Sequence, residues 1–338
     1  MRKNYRKKYY KKNWFSRSFL DFTSEYKHGK ILPGSFLKRL FLCFGGFTGN
    51  DFRNYGFAEK TIRNIVINYT PYCRMFRTRG NDKSPSCLIL QNKFETLKFL
   101  HSKGIPASIP RYIITQGKVF DLDDNFNPLP NEAKLIRQGD YVIKPLDQRW
   151  GVGIVFISLQ NDIAVSSCDS IKQALYGDYK SMLVEEKVKN HTKLAALSKT
   201  SLNTLRIITA KTRGGEIVSF FACVRFSCNE GRIDNWSSGG YAANIDIDTG
   251  IAQTAIKKEA TEPNPVNEIT KGYTIPFFHE AKIIVEKAHR ELFDMKSVGW
   301  DVAITPSGPI IIEGNDDWDV SQPQYLMGKG VRDFLCKI

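Results

Sequence analysis

The chain has 338 residues, 42% of them hydrophobic and 12% aromatic, with a formal net charge of +14, a length that fits two or three lobes. No stretch approaches the roughly 18 uninterrupted apolar residues of a membrane-spanning helix, and the basic start is not followed by the apolar core and small-residue cleavage site of a secretory signal. Seven dispersed cysteines without a CxxC pair and only five histidines fit reduced thiols and a cytoplasmic protein, and offer no spacing that would close a zinc site.

The positive charge is uneven. Residues 1–40 hold 12 Lys/Arg against two acids, Asp21 and Glu25, which leaves 37 basic and 33 acidic residues for the remainder. The high pI therefore belongs to a basic tail, here bounded at 1–44, and is weak evidence for nucleic acid as a partner. Within 1–17, Lys and Arg interleave with Tyr5, Tyr9, Tyr10, Trp14 and Phe15. Such a run is most often only solvated. It also suits peripheral contact with anionic lipid headgroups, through charge and interfacial aromatics, and less well suits phosphate contacts and base stacking on nucleic acid.

Residues 45–115 read as an N-terminal and linker region. Its last part contains a short apolar run at 88–90, a helix from Asn92 to Leu100 with Phe94, Leu97 and Leu100 on one face, a stop at Gly104 and Pro106, and a strand at 108–114. Residues 116–190 form the next unit. Val119 to Asn131 reads as a turn-rich loop. A hairpin follows, with strands at 141–145 and 154–157 around a tip bearing Gly151 and Gly153. Residues 170–176 look helical, and a strand at 182–184 runs into Glu185-Glu186-Lys187-Val188. From 191 to 338 strands dominate, at 205–209, 217–226, 251–256, 297–304 and 310–313, with one long helix over 276–292. The whole reads as α+β.

The last hairpin carries the sharpest chemistry. Asp301 lies on one strand, and Glu313 and Asn315 end the next across a Pro-Ser-Gly-Pro turn. Antiparallel pairing brings Asp301 near Glu313, and Glu313 and Asn315, two apart, share a face. Three oxygen donors on one surface suit Mg²⁺, which is hard, octahedral and usually shared with substrate phosphates. Lys144 ends an apolar strand and can reach a phosphate as a point charge. Gly151 and Gly153 let backbone N–H groups of a flap approach phosphate oxygens. Residues 185–188 have the place of an interdomain hinge that offers its backbone to an adenine edge.

The order Lys93, Lys144 with its glycine flap, Leu183-Val184-Glu185-Glu186, Asp301 and Glu313-x-Asn315 resembles the ATP-grasp fold. More narrowly, residues 201–209, Asp234-Asn235 with Ser237-Ser238-Gly239-Gly240, Ile245-Asp246 with Thr249-Gly250, and Val298-Gly299-Trp300-Asp301 resemble the sugar-transfer-associated ATP-grasp family, over roughly 45–328. The resemblance implies an ATP-grasp fold with two α+β subdomains clamping ATP, and cofactors ATP and one or two Mg²⁺. It implies that Lys93 and Lys144 hold the phosphates, that Glu185, Glu186 and Val188 line the nucleotide hinge, and that Asp301, Glu313 and Asn315 bind the metal. Asn203, Asn235, Gly239 and Gly240 would contact substrate. One position departs from related amide ligases: the arginine expected two residues before the metal aspartate is Gly299, so Arg206 or Arg225 is expected to act on the transition state instead.

The resemblance further implies a carboxylate–amine ligase in bacterial surface-polysaccharide biosynthesis, taking a small or glycan-linked carboxylate and an amine such as an amino acid. A kinase on the same fold, with Asp316, Asp317 or Asp319 as base, and a non-catalytic module with a decayed ATP site are the rival readings. The tail generates a first prediction: the full chain should bind anionic vesicles weakly, less so as salt rises, and sedimentation with vesicles should show that binding lost when residues 1–17 are removed.

Overall fold

The computed structural model describes residues 84–146, 153–176, 179–227, 234, 236, 239–257 and 270–335, with short stretches between 19 and 40. The basic tail 1–17, Gly151 and Asn235 lie outside the described residues. The chain divides into two compact units, 81–318 and 1–80 with 319–338.

Unit 81–318 opens with helices α1 (Pro85–Gln91) and α2 (Lys93–Ser102). Ser84 caps α1, its side chain accepting from Cys87 N, and Pro85 stands in the first turn, where a missing N–H costs least. Asn92 ends α1 in extended conformation and caps α2, accepting from Phe94 N and Glu95 N. The apolar run at 88–90 thus belongs to a helix, and Phe94, Leu97 and Leu100 are buried as their spacing predicts.

Among the described residues eight strands and one α-helix follow: β1 (Pro110–Thr115), β2 (Lys118–Leu122), β3 (Pro128–Glu132), β4 (Leu135–Ile136), β5 (Gly139–Pro145), β6 (Val155–Leu159), β7 (Ile163–Ala164), α3 (Asp169–Tyr176) and β8 (Ser181–Glu186). Six strands make an antiparallel sheet in the order β3-β2-β1-β8-β5-β6, over a core that includes Ile114, Val119, Ile143, Ile171 and Val184. The loop expected over 119–131 is instead the β2–β3 ladder. Asp123 tightens the turn by accepting from the backbone N–H of Asn125 and Asn127. β3 is exposed throughout and carries Pro128 and Pro130, the composition of an edge strand that periodicity reads as loop.

The rest of the unit comprises α4 (Thr192–Ala195), β9 (Thr204–Lys211), β10 (Ile217–Phe226), β11 (Tyr241–Ile245), β12 (Ile251–Ala252), β13 (Ile256–Lys257), β14 (Tyr273–Thr274), α5 (Phe278–Glu291), β15 (Ser297–Thr305) and β16 (Gly308–Asn315). Its sheet runs β14-β12-β11-β10-β9-β15-β16, with β13 paired to β11. The strand expected over 251–256 is two short strands, and β11 was not anticipated. α5 buries Phe278, Ala281, Val285, Ala288 and His289 against this sheet. Unit 1–80 with 319–338 includes α6 (Ser321–Met327) and α7 (Arg332–Leu335). Among the described residues, no helix is long and apolar enough to cross a membrane.

A polar seam runs under α5. His289 Nε2 lies 3.3 Å from the Met295 carbonyl and Nδ1 lies 2.8 Å from Thr209 Oγ1. The carbonyl can only accept, so Nε2 carries the proton and Thr209 donates to Nδ1, while Thr209 Oγ1 accepts from Trp300 Nε1 at 2.9 Å. Burial depresses the imidazole pKa to about 4. A depressed histidine gives stability that is complete above the unfolded value near 6.5 and is lost as pH falls towards 4, by about 3 kcal/mol in all. Urea unfolding should therefore weaken between pH 6.5 and 5, and His289→Gln should remove that part of the slope.

Candidate active site

The site begins with a break in the β15–β16 ladder. Gly299 pairs with Asn315, Trp300 with Gly314 and Asp301 with Glu313, but Val302 pairs with Ile311. Ile312 is an extra residue, a β-bulge. In a regular strand, residues 311, 313 and 315 would share one face. The bulge reverses the alternation: Ile311 and Gly314 are buried, whereas Glu313 and Asn315 are half-buried. α1 closes on the backbone here, since a Cβ at Gly314 would stand 2.6 Å from Leu90 Cδ2.

Directly opposed residues then form a row across four strands, Glu313–Asp301–Arg206–Cys223 on β16, β15, β9 and β10. Arg206 grips Asp301 with two bonds, Nε to Oδ1 at 2.6 Å and Nη2 to Oδ2 at 3.2 Å. Arg225, from β10, adds Nη2 to Asp301 Oδ2 at 3.1 Å. Both arginines named from sequence thus converge on one carboxylate. Burial alone would raise the Asp301 pKa, but the two guanidiniums outweigh it and hold the group below the ordinary carboxylate value. Burial likewise disfavours the Arg225 cation, and Asp301 and Asp234 more than restore it. Cys223, in the same row, is pushed up to about 12 by burial and stays a thiol.

Two members of this cluster had no role assigned from sequence. Thr204 Oγ1 accepts from Arg225 Nε and Nη2 at 3.2 and 2.7 Å. Its own N–H, at 3.1 Å, and its hydroxyl both bond Asp234 Oδ2. Thr204 is two residues from Arg206, hence on the same face of β9, and that spacing was the available signal. Asp234 is far away in sequence, and nothing in its local pattern announces the contact.

Gly299 explains the missing arginine. A Cβ there would stand 2.6 Å from Trp318 Cβ and 3.4 Å from Arg206 Nη1. Trp318, buried and donating to Ser297 Oγ at 3.0 Å, occupies the space a longer side chain would need.

Lys93, at the start of α2, places Nζ 3.5 Å from Glu313 Oε1. Asp301, Glu313 and Asn315 present oxygen donors, the set a hard divalent cation takes. Among the described residues the buried Asn315 amide nitrogen has no hydrogen-bond partner, so no bond there holds the amide against turning its oxygen to a cation.

A second group lies on the six-stranded sheet. Lys144 is opposite Leu183, so Glu185 is its diagonal neighbour on the same face. Their buried side chains meet at 2.5 Å, and Ser108 Oγ donates to Glu185 Oε2 at 2.7 Å. Glu186 turns outward to Arg111 at 2.6 Å. Lys187 N donates to Asp140 O, and Val188 lies half-buried just beyond. Segment 106–108 ties the two groups together: Ile311 N donates to Pro106 O at 2.9 Å and Ser108 N to Ile311 O at 3.0 Å.

Gly153 has φ 78°, and a Cβ there would stand 2.6 Å from the Tyr179 hydroxyl. Gly239, at φ 95°, and buried Gly240 lead into β11. Asn203 has a different place from the one expected. It is fully buried, its Nδ2 donating to Leu194 O and Ser198 O and its Oδ1 accepting from Ser201 Oγ. Its amide is committed to bracing the 190–203 loop and presents no surface to a substrate.

The family model described as sugar-transfer associated ATP-grasp matches residues 73–338. The chain belongs to the sugar-transfer-associated ATP-grasp family. Its fold is therefore ATP-grasp, an α+β architecture. Similar solved structures include the ADP complex of purK, N5-carboxyaminoimidazole ribonucleotide synthetase (13% identity, 70% of this chain and 47% of that chain, TM-score 0.41). Others are L-amino acid ligase from Bacillus licheniformis (10%, 75% and 49%, 0.41) and D-alanyl-alanine synthetase A from Vibrio cholerae (14%, 74% and 64%, 0.41). The chain spans less than two thirds of the length of each. No curated protein sequence matches it.

In this ATP-grasp protein, Asp301→Asn should cost about 3–5 kcal/mol, because it leaves two buried guanidiniums short of a counter-charge. Glu313→Gln, whose side chain is 26% exposed with one 3.5 Å ion pair, should change stability by less than about 1 kcal/mol. Urea unfolding of the two variants checks the contrast.

Proposed function

We infer that this protein is an ATP- and Mg²⁺-dependent carboxylate–amine ligase, acting on a surface-glycan precursor at the cytoplasmic side of the membrane. The observation that carries the reading is the convergence of Arg206 and Arg225 on Asp301, in one row with Glu313. Such a site holds fixed positive charge and oxygen donors in a preorganised array. It suits a reaction whose first step needs charge neutralised more than protons moved.

A substrate carboxylate is already ionised at neutral pH. Its attack on the γ-phosphate forms an acylphosphate and releases ADP; an amine then displaces phosphate and leaves an amide. Lys93 and Lys144 would bind the phosphates as point charges. Residues 185–188 would line the adenine, with the flap at Gly151 and Gly153 closing over the phosphates, and Arg206 and Arg225 would face the charge that develops on transfer. Asp301, Glu313 and Asn315 would hold Mg²⁺, which when bound supplies a Lewis acid for the phosphoryl oxygens. The pairing of Lys144 with Glu185 keeps that ammonium compensated within the buried site until a phosphate competes for it. Asn235, Gly239 and Gly240 would contact the acceptor. The family's association with sugar transfer supports a glycan-linked carboxylate, such as a uronic acid, with an amino acid as amine.

Kinase chemistry would need a base for a hydroxyl. Asp316, the nearest of the extra acids in sequence, is buried and accepts from Cys87 Sγ at 3.3 Å and Gln91 Nε2 at 2.9 Å. It is committed to holding α1, which disfavours Asp316 as that base. The presence of Lys144, Asp301, Glu313 and Asn315 in the sequence speaks against a decayed ATP site.

With Mg²⁺, ATP, nucleotide-linked uronic acids and pooled amino acids, ADP and phosphate should appear only when carboxylate and amine are both present, and mass spectrometry should find an amide. A phosphorylated sugar formed without amine would overturn the ligase reading.

A further inference from the structure

Asp234 is the one charged member of the arginine cluster to which ligation has so far given no task. Its Oδ2 is held by the Thr204 N–H and hydroxyl, and Arg225 Nη2 stands 3.8 Å away, beyond hydrogen-bond reach. Asp301, by contrast, takes three guanidinium contacts between 2.6 and 3.2 Å. Two guanidiniums thus serve mainly one carboxylate, and the other is left short of positive charge. Among the described residues no donor reaches Asp234 Oδ1, and the side chain keeps 13% of its surface exposed. A largely buried carboxylate that lacks a full counter-ion but retains an open edge is a seat for a cation. Asp234 also heads the segment that runs through Gly239 and Gly240 into β11.

We propose that Asp234 seats the ammonium group of the amine substrate and takes its proton on Oδ1. The assignment rests on the ligase reading above. Among the described residues, the groups facing Asp234 are Thr204 of β9 and Arg225 of β10, with Asp301 of β15 beyond Arg225, and no hydrogen bond or ion pair joins it to the three oxygen donors placed around the metal. Burial raises its pKa above the ordinary carboxylate value, and Arg225 and the Thr204 bonds only partly oppose that. It is thereby a stronger base than a surface aspartate.

The balance of the step is simple. The ammonium gives one proton to the Asp234 carboxylate, which becomes the neutral acid, and the nitrogen lone pair is freed. That pair forms the C–N bond to the acyl carbon. The acyl C–O bond to phosphate breaks, and phosphate leaves with the electron pair. The second nitrogen proton passes to the departing phosphate, and Asp234 returns its proton to water.

Hydroxylamine separates this role from a structural one. It is largely uncharged at neutral pH, so it brings no ammonium to be seated or deprotonated, and it traps acylphosphates as hydroxamates. With Mg²⁺, ATP, nucleotide-linked uronic acids and pooled amino acids, Asp234→Asn should lose amide product by about 100-fold or more. The loss should be confined to the amine step, with hydroxamate yield from added hydroxylamine staying near that of the wild-type protein. Asp234→Glu, which keeps the carboxylate, should recover part of the amide yield. Equal loss of amide and hydroxamate in a variant that still binds Mg·ADP by calorimetry would overturn the proposal, as would unchanged amide formation. If Asp234→Asn does not bind Mg·ADP, Asp234→Glu carries the test: a raised KM for the amine with an unchanged KM for ATP supports the seat, and equal changes in both overturn it. A wild-type protein that forms neither product refutes the ligase reading itself, and the assignment with it.

Discussion

The Asp301 carboxylate, held between two guanidiniums, is the constraint on which the centre of the larger unit depends. Buried charges are tolerated only when paired and hydrogen-bonded, so the three strands that supply them must keep one register. Arg206 on β9 lies directly opposite Asp301 on β15 and Cys223 on β10. Arg225 reaches Asp301 from one step along β10, braced on Thr204. A slip of any one strand would turn its charged residue to the opposite face, among apolar side chains. The requirement for charge pairing thus specifies strand pairing, and the strand pairing presents the site.

The arrangement also explains an economy in the cluster. Gly299 leaves the space that Trp318 and the Arg206 guanidinium occupy. The two guanidiniums that reach Asp301 come instead from β9, next to β15, and from β10, one strand further on. Segment 106–108 extends the order further. It bonds to Ile311 on both sides and carries the hydroxyl that holds Glu185. The Lys144–Glu185 pair on one sheet and the Glu313–Asn315 strand on the other are therefore fixed by the same few residues.

Much of this was legible from residue pattern. The helices at 93–102 and 278–291, both long hairpins and the cross-strand pairing of Asp301 with Glu313 follow from periodicity and turn chemistry. What was not legible has physical causes. β2 and β3 look like loop because β3 is an exposed edge with two prolines. β11 is a five-residue strand behind a glycine turn, too short to show a period. Asn203 has the composition of a binding residue, yet its amide is consumed by three local bonds. By sequence Glu185 reads as following a strand, as a hinge residue would, but it lies within β8, and only the sheet register shows that it meets Lys144. Asp234 stands in a motif of the resemblance but gains its place beside Arg225 only through contacts with residues about 9 and 30 positions away, which no local pattern contains.

The bulge at Ile312 ties the presence of the site to strand register. Many apolar side chains at position 312 would preserve the offset between Asp301–Glu313 and Val302–Ile311. Deleting Ile312 would leave Ile311 and Glu313 as neighbours on opposite faces, as the present pairing has them, but closing the bulge at constant length, with Ile312 opposite Asp301, would carry Glu313 and Asn315 round to the side that packs against α1 and the core. The oxygen donors would be retained in the sequence and lost to the site. In this strand the chemistry is thus encoded as register: the same residues present the site or bury it according to which of them stands opposite Asp301.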